Sequence, residues 1–374
     1  MDRLDTGLAL SGGGFRATLF GLGALMRLNE LGWLRKLDVV TSVSGGSILN
    51  GALAHRWNRL EWSDPHGDGR VRAVNFQRVV VEPVRAFCCR TIDVAAGLEG
   101  FFSPFSTIAD RVSAAYDEHL FHGASLQDLP VAVSGQAPRF VFYATSLQSG
   151  ASVRISRKYL ADWRVGRIDA PRLSLARVVA ASSAFPPVLS PVPFDLDPAL
   201  WQPLPGADLH AHEAYRRRLM LTDGGVYDNM GLEAIWDRCS TVLVSDAGAP
   251  FDAQPEPATG WTGQLKRVLD IVTQQTRALR KRELVSNFQE GRRSGTYWGI
   301  STRIQDYALQ EVLAADTTVT GALSDVRTRL DSFSDQEQCQ LIDWGYALCD
   351  AAMRRHVDAG APAGRLPMGT HPLR

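Results

Sequence analysis

The sequence predicts an α/β protein with a central, mainly parallel sheet flanked by helices. Thr6 to Leu10 is a short apolar run that leads into a glycine turn, and Arg16 to Leu31 then carries leucines at helical spacing. The order repeats at once, because the β-branched run Asp38 to Val43 ends in a Ser/Gly turn before a second helical segment, Gly46 to Trp57. Strand, turn and helix in repeated succession are typical of a parallel sheet covered by helices.

The rest of the chain adds further elements to this plan. The predicted strands are Phe140 to Ser146, Val153 to Ser156 as its hairpin partner, Leu219 to Thr222, and Thr241 to Ser245. The predicted helices are Leu175 to Ser183, Trp261 to about Gln289, and Asp335 to Val357. The Pro- and Asp-rich segment 195–212 is expected to be an irregular insertion.

These elements fit one domain over residues 1–360, with an α/β core over 6–250 and a helical C-terminal part over 260–357. Hydrophobic residues make up 45% of the chain and charged residues 21%, which is ordinary for a globular protein. Residues 361–374 are rich in Pro and Gly, so we expect this tail to be flexible.

Charge, cysteine content and hydropathy limit the partners and the cellular location that we expect. Lys plus Arg equals Asp plus Glu, at 40 each, so bulk charge gives no reason to expect nucleic-acid binding. The five cysteines are odd in number and lack CxxC spacing, which favours reduced thiols in the cytoplasm over disulfides or zinc. The first residues carry no signal-peptide pattern, and no stretch has the roughly 18 apolar residues of a membrane span. We therefore expect a cytoplasmic protein that meets a membrane only at its surface.

Three motifs contain the parts of a serine hydrolase. Ser44, in Ser42-Val43-Ser44-Gly45-Gly46, lies where a strand turns into a helix, a position that exposes a nucleophile. Such a serine needs a base and donors for an oxyanion, which Asp223-Gly224-Gly225 and Gly12-Gly13-Gly14 could supply. Taken singly, the serine motif fits a nucleophile or an ordinary turn equally well, whereas the glycine run and Asp223-Gly224-Gly225 are each more typical of an ordinary turn. The glycine run lacks G-K-[ST] and GxGxxG, so a nucleotide-binding turn is disfavoured.

In this combination and order, the motifs resemble those of the patatin-like phospholipases. The stretches Ala181-Ser182-Ser183-Ala184-Phe185-Pro186 and Val226-Tyr227-Asp228-Asn229-Met230-Gly231-Leu232 are similar to segments of bacterial patatin-like proteins as well. The resemblance covers roughly residues 6–290. It implies the three-layer α/β fold of that family, with a helical elaboration at the C-terminus.

The resemblance also implies a catalytic dyad, with Ser44 as the nucleophile and Asp223 as the general base. It assigns the oxyanion hole to Gly12, Gly13, Gly14, Arg16 and Gly45. Arg16 would hold the loop or the acyl oxygen, although its position alone also fits a surface charge on the first helical turn. The chain departs from the family patterns at Ser42, where G-x-S-x-G begins with glycine, and at Ala17, where G-G-G-x-[RK]-G ends with glycine.

By the same resemblance, the substrate is a phospholipid or another lipid ester met at a membrane surface, and neither a metal nor an organic cofactor is needed. Some bacterial relatives are regulated effectors that damage membranes. The rival hypothesis, motivated by the departures at Ser42 and Ala17, is a non-catalytic binding or regulatory protein on the same scaffold. A nucleotide-binding enzyme is a more distant third.

Other segments leave alternatives open. None of the eight histidines lies near the three motifs, and His210-Ala211-His212-Glu213 is a weak metal-site pattern. The aromatic stretch 84–107 fits either a lid or membrane-docking surface, or ordinary core. A basic cluster on the long helix either attracts anionic head groups or forms a solvated face: Arg277, Arg280, Lys281 and Arg282.

Overall fold

The computed structural model describes residues 4–92, 107–248, 250–251 and 253–374. The helices in these ranges are α1 (Gly14–Glu30), α2 (Gly45–Arg56), α3 (Glu82–Cys88), α4 (Ile108–Tyr116), α5 (Leu175–Ser182), α6 (Glu213–Arg217), α7 (Gly225–Asp228), α8 (Glu233–Trp236), α9 (Trp261–Gln289), α10 (Thr318–Ala322) and α11 (Asp335–His356). The strands are β1 (Leu4–Leu10), β2 (Val39–Ser42), β3 (Trp62–Ser63), β4 (Arg72–Ala73), β5 (Arg139–Ser146), β6 (Ser152–Ser156), β7 (Tyr159–Asp162), β8 (Gly166–Asp169), β9 (Val192–Asp195), β10 (Trp201–Gln202), β11 (Arg218–Asp223), β12 (Cys239–Asp246) and β13 (Ser294–Gly299).

The main sheet has a parallel centre and an antiparallel extension. Its strand order is β10-β8-β7-β6-β5-β2-β1-β12-β13. The neighbours from β5 through β2, β1 and β12 to β13 run parallel, whereas β6, β7, β8 and β10 continue past β5 with antiparallel pairing. The predicted α/β fold is confirmed, with the short β3–β4 ribbon apart from this sheet.

Helices cover both faces of the parallel centre, because alternate strand residues point to opposite faces. Leu8 and Leu10 of β1 belong to the core that also contains the apolar residues of α1, α2 and α11. Ala9, between them, belongs to a second core that contains Ile235 of α8 and Leu284 of α9. The order helix, sheet, helix is the three-layer architecture that the sequence predicts.

Strand β11 lies on the same side of β5 as β2. Strand β2 pairs with β5 in parallel up to Ser42, which is opposite Phe142. Strand β11 pairs with β5 in the antiparallel sense and ends at Asp223, which is opposite Ala144. Both strands lie on the edge of β5 that β6 leaves free. Their carboxyl ends therefore meet along one side of β5, and any side chains that follow them are brought together.

The C-terminal helix α11 packs directly on α1, and glycine permits the contact. A Cβ atom on Gly345 would lie 1.9 Å from the Phe20 carbonyl oxygen, and one on Gly23 would lie 1.9 Å from the Ile342 oxygen. The same interface contains a buried ion pair, 2.6 Å between Arg27 Nη2 and Asp350 Oδ1. The helical C-terminal part thus joins the layer formed by α1.

Gly345→Ala is expected to lower the free energy of unfolding by roughly 2–3 kcal/mol, because a methyl group there forces two helix backbones apart. Chemical denaturation measures the change. Gly321→Ala in α10 is the matched control, since its Cβ meets nothing within 4 Å. A loss at Gly345 no larger than at Gly321 would contradict the close approach of α1 and α11.

The tail after α11 is packed, contrary to the flexibility expected from its composition. The Asp343 carboxylate accepts hydrogen bonds from the amides of Met368 and Gly369, at 2.9 and 3.1 Å. Thr317 donates a hydrogen bond to the Leu373 carbonyl, and the Leu373 side chain is buried. Polar groups of neighbouring elements satisfy this irregular backbone, which composition alone does not reveal.

Two other segments can be compared with their sequence interpretation. The segment 195–212 is not wholly irregular, because β10 adds to the edge of the sheet beside β8 and Trp201 is buried. In the aromatic stretch 84–107, residues 93–106 lie outside the described residues, and the described Phe87 packs edge-on against Phe15 in the core. Among the helices that the structure describes, none combines the length and apolarity of a transmembrane segment.

Candidate active site

Ser44 occupies a strained turn between β2 and α2. Its φ of 51° and ψ of −120° are unfavourable for a residue with a side chain. The turn is possible because the next two residues lack side chains: a Cβ on Gly45 would lie 2.0 Å from the Gly14 oxygen, and one on Gly46 would lie 2.4 Å from the Leu10 oxygen. Ser44 is partly exposed while Val43 and Gly45 are buried. This is the geometry of a nucleophile elbow.

Asp223 is the last residue of β11 and is 3% exposed. Burial raises the pKa of its carboxyl group from 3.8 to about 7, although hydrogen bonding by the Gly225 amide and the Ser44 hydroxyl opposes the rise. The Gly225 amide donates to Asp223 Oδ1 over 2.7 Å. A carboxylate with a pKa near 7 is a far better general base than an ordinary aspartate at neutral pH.

The segment after α5 joins the serine turn to the aspartate turn. The Ser182 carbonyl oxygen accepts hydrogen bonds from the amides of Ser44 and Gly224, each over 3.2 Å. The Asp223 amide donates to the Ala184 oxygen over 3.0 Å. Sequence reasoning identified this segment only as resembling a family stretch. Its structural role is to hold the two turns in register.

A buried chain of hydroxyl groups accommodates the departure at Ser42. The Ser42 hydroxyl lies 2.9 Å from that of Ser47, which lies 2.7 Å from that of Ser182. The Asn50 side chain donates to Ser42 Oγ over 2.9 Å. A serine in place of the first glycine therefore brings a buried polar group whose hydrogen bonds are made, so the turn keeps its shape.

The glycine loop contacts the serine turn, but its amides are not equivalent. The Gly12 amide donates to the Asn229 carbonyl over 3.0 Å, so it is not available to an oxyanion, contrary to expectation. Gly13 and Gly14 have φ values of 142° and 55°, which glycine tolerates. Among the described residues, no acceptor pairs with the amides of Gly13, Gly14 or Gly45. These three remain the candidate oxyanion donors.

Ala17, the second departure from the family patterns, is compatible with this loop. A Cβ on Gly13 would lie 3.3 Å from the Ala17 Cβ and 2.9 Å from the Ala247 oxygen. The methyl group of Ala17 is therefore tolerated because position 13 itself is glycine.

Arg16 is neither an oxyanion donor nor a surface charge. It is 1% exposed, and its guanidinium donates to the carbonyl oxygens of Ala247, Ser324 and Val326 over 2.7, 2.6 and 2.7 Å. Burial, with the charge of Arg277, lowers the pKa of Arg16 to about 10. Arg16 instead fastens the start of α1 to the segment after α10.

Asn229 is a site residue that sequence reasoning did not single out. A Cβ on Gly12 would lie 2.3 Å from Asn229 Oδ1 and 3.2 Å from Ser44 Cβ. A Cβ on Gly225 would lie 2.6 Å from the same oxygen and 3.0 Å from Asp223 Oδ1. The carboxamide of Asn229 therefore lies beside both Ser44 and Asp223. Its place six residues after Asp223, in a turn-forming stretch, was the available signal.

The basic cluster of α9 is partly structural. Arg277 Nη2 lies 2.8 Å from Asp246 Oδ2, at the end of β12, and both residues are nearly buried. Arg280 Nε lies 3.7 Å from Asp228 Oδ1, and Lys281 lies over the Tyr297 ring. These contacts attach the second half of α9 to the edge of the sheet where Ser44 lies, so the cluster is not simply a solvated face.

The described residues bring together one group of three metal-ligand side chains, at Asp335, Cys339 and His371. Arg85 already lies 2.5 Å from Asp335 in that group. His210, from the weak metal pattern, instead has its Nδ1 hydrogen-bonded with the Val165 carbonyl. Neither place lies among the residues that surround Ser44.

Comparisons with known proteins give distant structural likenesses. No family model matches the chain, and no curated protein matches it. It is similar to human GIVD cytosolic phospholipase A2, with a TM-score of 0.41 and 15% identity over 68% of this chain and 49% of that one. For the same enzyme in complex with methyl gamma-linolenyl fluorophosphonate, the TM-score is 0.39 and the identity 18%, over 68% of this chain and 44% of that one. For VipD from Legionella pneumophila, the TM-score is 0.40 and the identity 14%, over 93% of this chain and 66% of that one. The chain thus spans about half or less of the phospholipase structures.

Proposed function

We propose that this chain is a serine acyl hydrolase of the patatin-like type, which cleaves lipid esters through Ser44 and Asp223. The observation that carries the proposal is the pairing of a strained, partly exposed Ser44 with a buried carboxyl group whose pKa is about 7. A structural turn has no need of either feature, whereas a nucleophile and its base need both. The lipid substrate rests on the sequence resemblance.

In the first step, Ser44 Oγ attacks the ester carbonyl carbon while Asp223 takes the hydroxyl proton. The tetrahedral intermediate then collapses, the bond to the alcohol oxygen breaks, and Asp223 returns the proton to that oxygen. The alcohol leaves and the acyl group stays on Ser44. Asp223 must be ionised for this step, so the reaction requires a pH above the pKa of its carboxyl group.

In the second step, water replaces the alcohol. Asp223 takes a proton from water as its oxygen adds to the acyl carbon, and the bond to Ser44 Oγ then breaks. The proton passes to Ser44, and the fatty acid is released. No further group has to carry a proton.

Negative charge on the carbonyl oxygen needs donors in both steps. The amides of Gly13, Gly14 and Gly45, for which the described residues offer no acceptor, are the candidates, and Gly45 is also the first residue of α2. The amino end of a helix carries partial positive charge, so α2 would favour an oxyanion beside Ser44.

A fluorophosphonate probe tests the nucleophile directly, since it forms a covalent bond with an activated serine. We expect one adduct, located on Ser44 by peptide mass spectrometry. Ser134→Ala is the control, because Ser134 lies at the opposite edge of the sheet, where it donates to Asp38. An unlabelled protein would favour the non-catalytic hypothesis, and an adduct on another serine would reject the assignment of Ser44.

Asn229→Asp is expected to shift the pH dependence of hydrolysis upward. The substitution keeps the side-chain shape but places a second carboxylate beside Asp223, which raises the pKa of Asp223 further. The midpoint of the kcat/KM profile should move from about 7 to at least about one unit higher. Asn58→Asp, in the exposed turn after α2, is the control. A midpoint that stays in place would show that residue 229 does not face the base.

A further inference from the structure

Helix α9 exposes an apolar face. Trp261 is 79% exposed, Leu265 58% and Val272 54%. These residues share one face of the helix, with spacings of three and four, and the complete set is Trp261, Leu265, Val268, Ile271, Val272 and Leu279. We call this set the outer face of α9. Large exposed apolar patches mark interaction surfaces.

The opposite face of α9 contacts the body of the protein through ion pairs and, near its C-terminal end, through Leu284 and Phe288. Arg277 pairs with Asp246, and Arg280 lies near Asp228. Leu284 is the buried residue of this 29-residue helix. A helix of a globular protein normally turns its apolar stripe inward, whereas Leu265, Val268 and Val272 in the first half of α9 are exposed. An exposed apolar stripe of this size favours a partner that covers it.

The shape of the outer face fits a continuous apolar medium better than a single partner helix. At 100° per residue, Ile271 and Leu265 bound an arc about 120° wide, which is broader than a two-position coiled-coil seam. Gln275 also interrupts the seam where a heptad repeat would place an apolar residue. Trp261 is the first residue of the helix, and tryptophan is enriched at lipid–water interfaces.

The charge of α9 favours an anionic partner. The chain as a whole is balanced, with 40 basic and 40 acidic residues. The helix carries two acidic residues, Asp270 and Glu283, against six basic ones: Lys266, Arg267, Arg277, Arg280, Lys281 and Arg282. Of the six, Arg277, Arg280 and Lys281 contact the body of the protein, whereas Lys266 and Arg282 are exposed. An apolar face on a cationic helix is the combination that holds amphipathic helices to anionic bilayers.

The second half of α9 also lies near the proposed active site. Arg277 reaches Asp246 at the carboxyl end of β12, which is parallel to β1 and β2 in the sheet. Arg280 lies beside Asp228, five residues after Asp223. The helix therefore leaves the body at the same edge of the sheet as the turn that carries Ser44.

We propose that the outer face of α9 is the docking surface through which this protein binds an anionic lipid bilayer. The proposal rests on the proposed function in one respect, that Ser44 cleaves esters supplied by that bilayer. Docking through α9 brings the edge of the sheet that carries Ser44 close to the lipid layer.

Vesicle sedimentation tests the surface. Ser44→Ala protein is used so that the lipids are not consumed, with vesicles of phosphatidylcholine alone or mixed with phosphatidylserine. We expect preferential binding to the mixed vesicles. Leu265→Glu with Val272→Glu should weaken that binding at least about tenfold, because two side chains no longer enter the apolar layer. Val131→Glu is the matched control, at 61% exposure and at the opposite edge of the sheet, and it should bind like the parent protein.

The outcomes separate the possible occupants. Unchanged vesicle binding by the Leu265/Val272 variant, with an unchanged unfolding midpoint, would overturn the proposal. A second result would also overturn it: light scattering finds the parent protein dimeric and the Leu265/Val272 variant monomeric, while the two bind vesicles equally. A second copy of the chain would then cover the outer face of α9. Hydrolysis of a soluble ester by the unsubstituted chain tests the active site separately. If the Leu265/Val272 variant loses vesicle binding and the unsubstituted chain shows no esterase activity, docking is supported and the proposed function is rejected.

Discussion

Ser44→Ala is expected to reduce fatty-acid release from phospholipid vesicles by about ten-thousandfold or more. The substitution removes the atom that attacks the ester, and loss of a catalytic nucleophile leaves only binding and oxyanion stabilisation. The fold should tolerate the change, because the Ser44 amide, not its hydroxyl, makes the contacts with Ser182. Release by the wild type and the variant is compared by mass spectrometry of the free fatty acids.

Ser134→Ala serves again as the control serine. Its release should equal that of the wild type. Equal release by Ser44→Ala and the wild type would reject the dyad. Absent release from every protein, with a labelled Ser44, would point to a different ester as the substrate.

Asp223→Asn is expected to abolish hydrolysis and yet to stabilise the protein at alkaline pH. Asparagine retains an oxygen that accepts from the Gly225 amide but cannot take a proton from Ser44. The stability effect follows from the pKa, which is about 7 when folded and 3.8 as an ordinary carboxyl group. Between these values the folded protein keeps a proton that the unfolded chain has released. Stability is therefore lost as the pH rises through this window.

Three pKa units correspond to about 4 kcal/mol, an upper bound for the gain of Asp223→Asn above about pH 7. The gain in stability should fade below about pH 4, where residue 223 is neutral in the wild type and in the variant, whether folded or unfolded. Denaturant unfolding at several pH values measures it. Asp246→Asn is the opposite control: burial would raise the pKa of Asp246, but Arg277 and its other partners outweigh burial and lower it. That substitution leaves Arg277 buried without its anion and should destabilise. If Asp223→Asn destabilises the protein at alkaline pH, burial does not make the ionised Asp223 carboxylate unfavourable in the native state.

The fold was predictable where local pattern and burial agree. The parallel centre follows from β1 and β2, whose apolar runs are buried on both faces, and from the glycine or serine turn that follows each. The packing of α11 on α1 was not predictable. It depends on Gly23 and Gly345, which are 322 residues apart in sequence and resemble ordinary helix glycines until the backbones meet.

The candidate site was predictable as motifs and not as geometry. Ser44 and Asp223 were identified together through the resemblance, but no sequence pattern states that β2 and β11 meet along β5. The same limit explains the corrections at Gly12 and Arg16. Each is a residue type that can donate to an oxyanion, but each donates instead to carbonyl oxygens of residues far away in sequence.

The family resemblance suggested Ser44 and Asp223 as the dyad, whereas the sequence by itself determined the strand–turn–helix units and the glycines that make the tight turns possible. Those properties are local, since they depend on side-chain size, periodicity and the conformations open to glycine. Tertiary structure alone decided that Asp223 is buried enough for its pKa to reach about 7, that Asn229 lies beside both dyad residues, and that α9 turns its apolar face outward. Burial, desolvation and contact depend on what the rest of the chain places around a residue, so no stretch of sequence contains them.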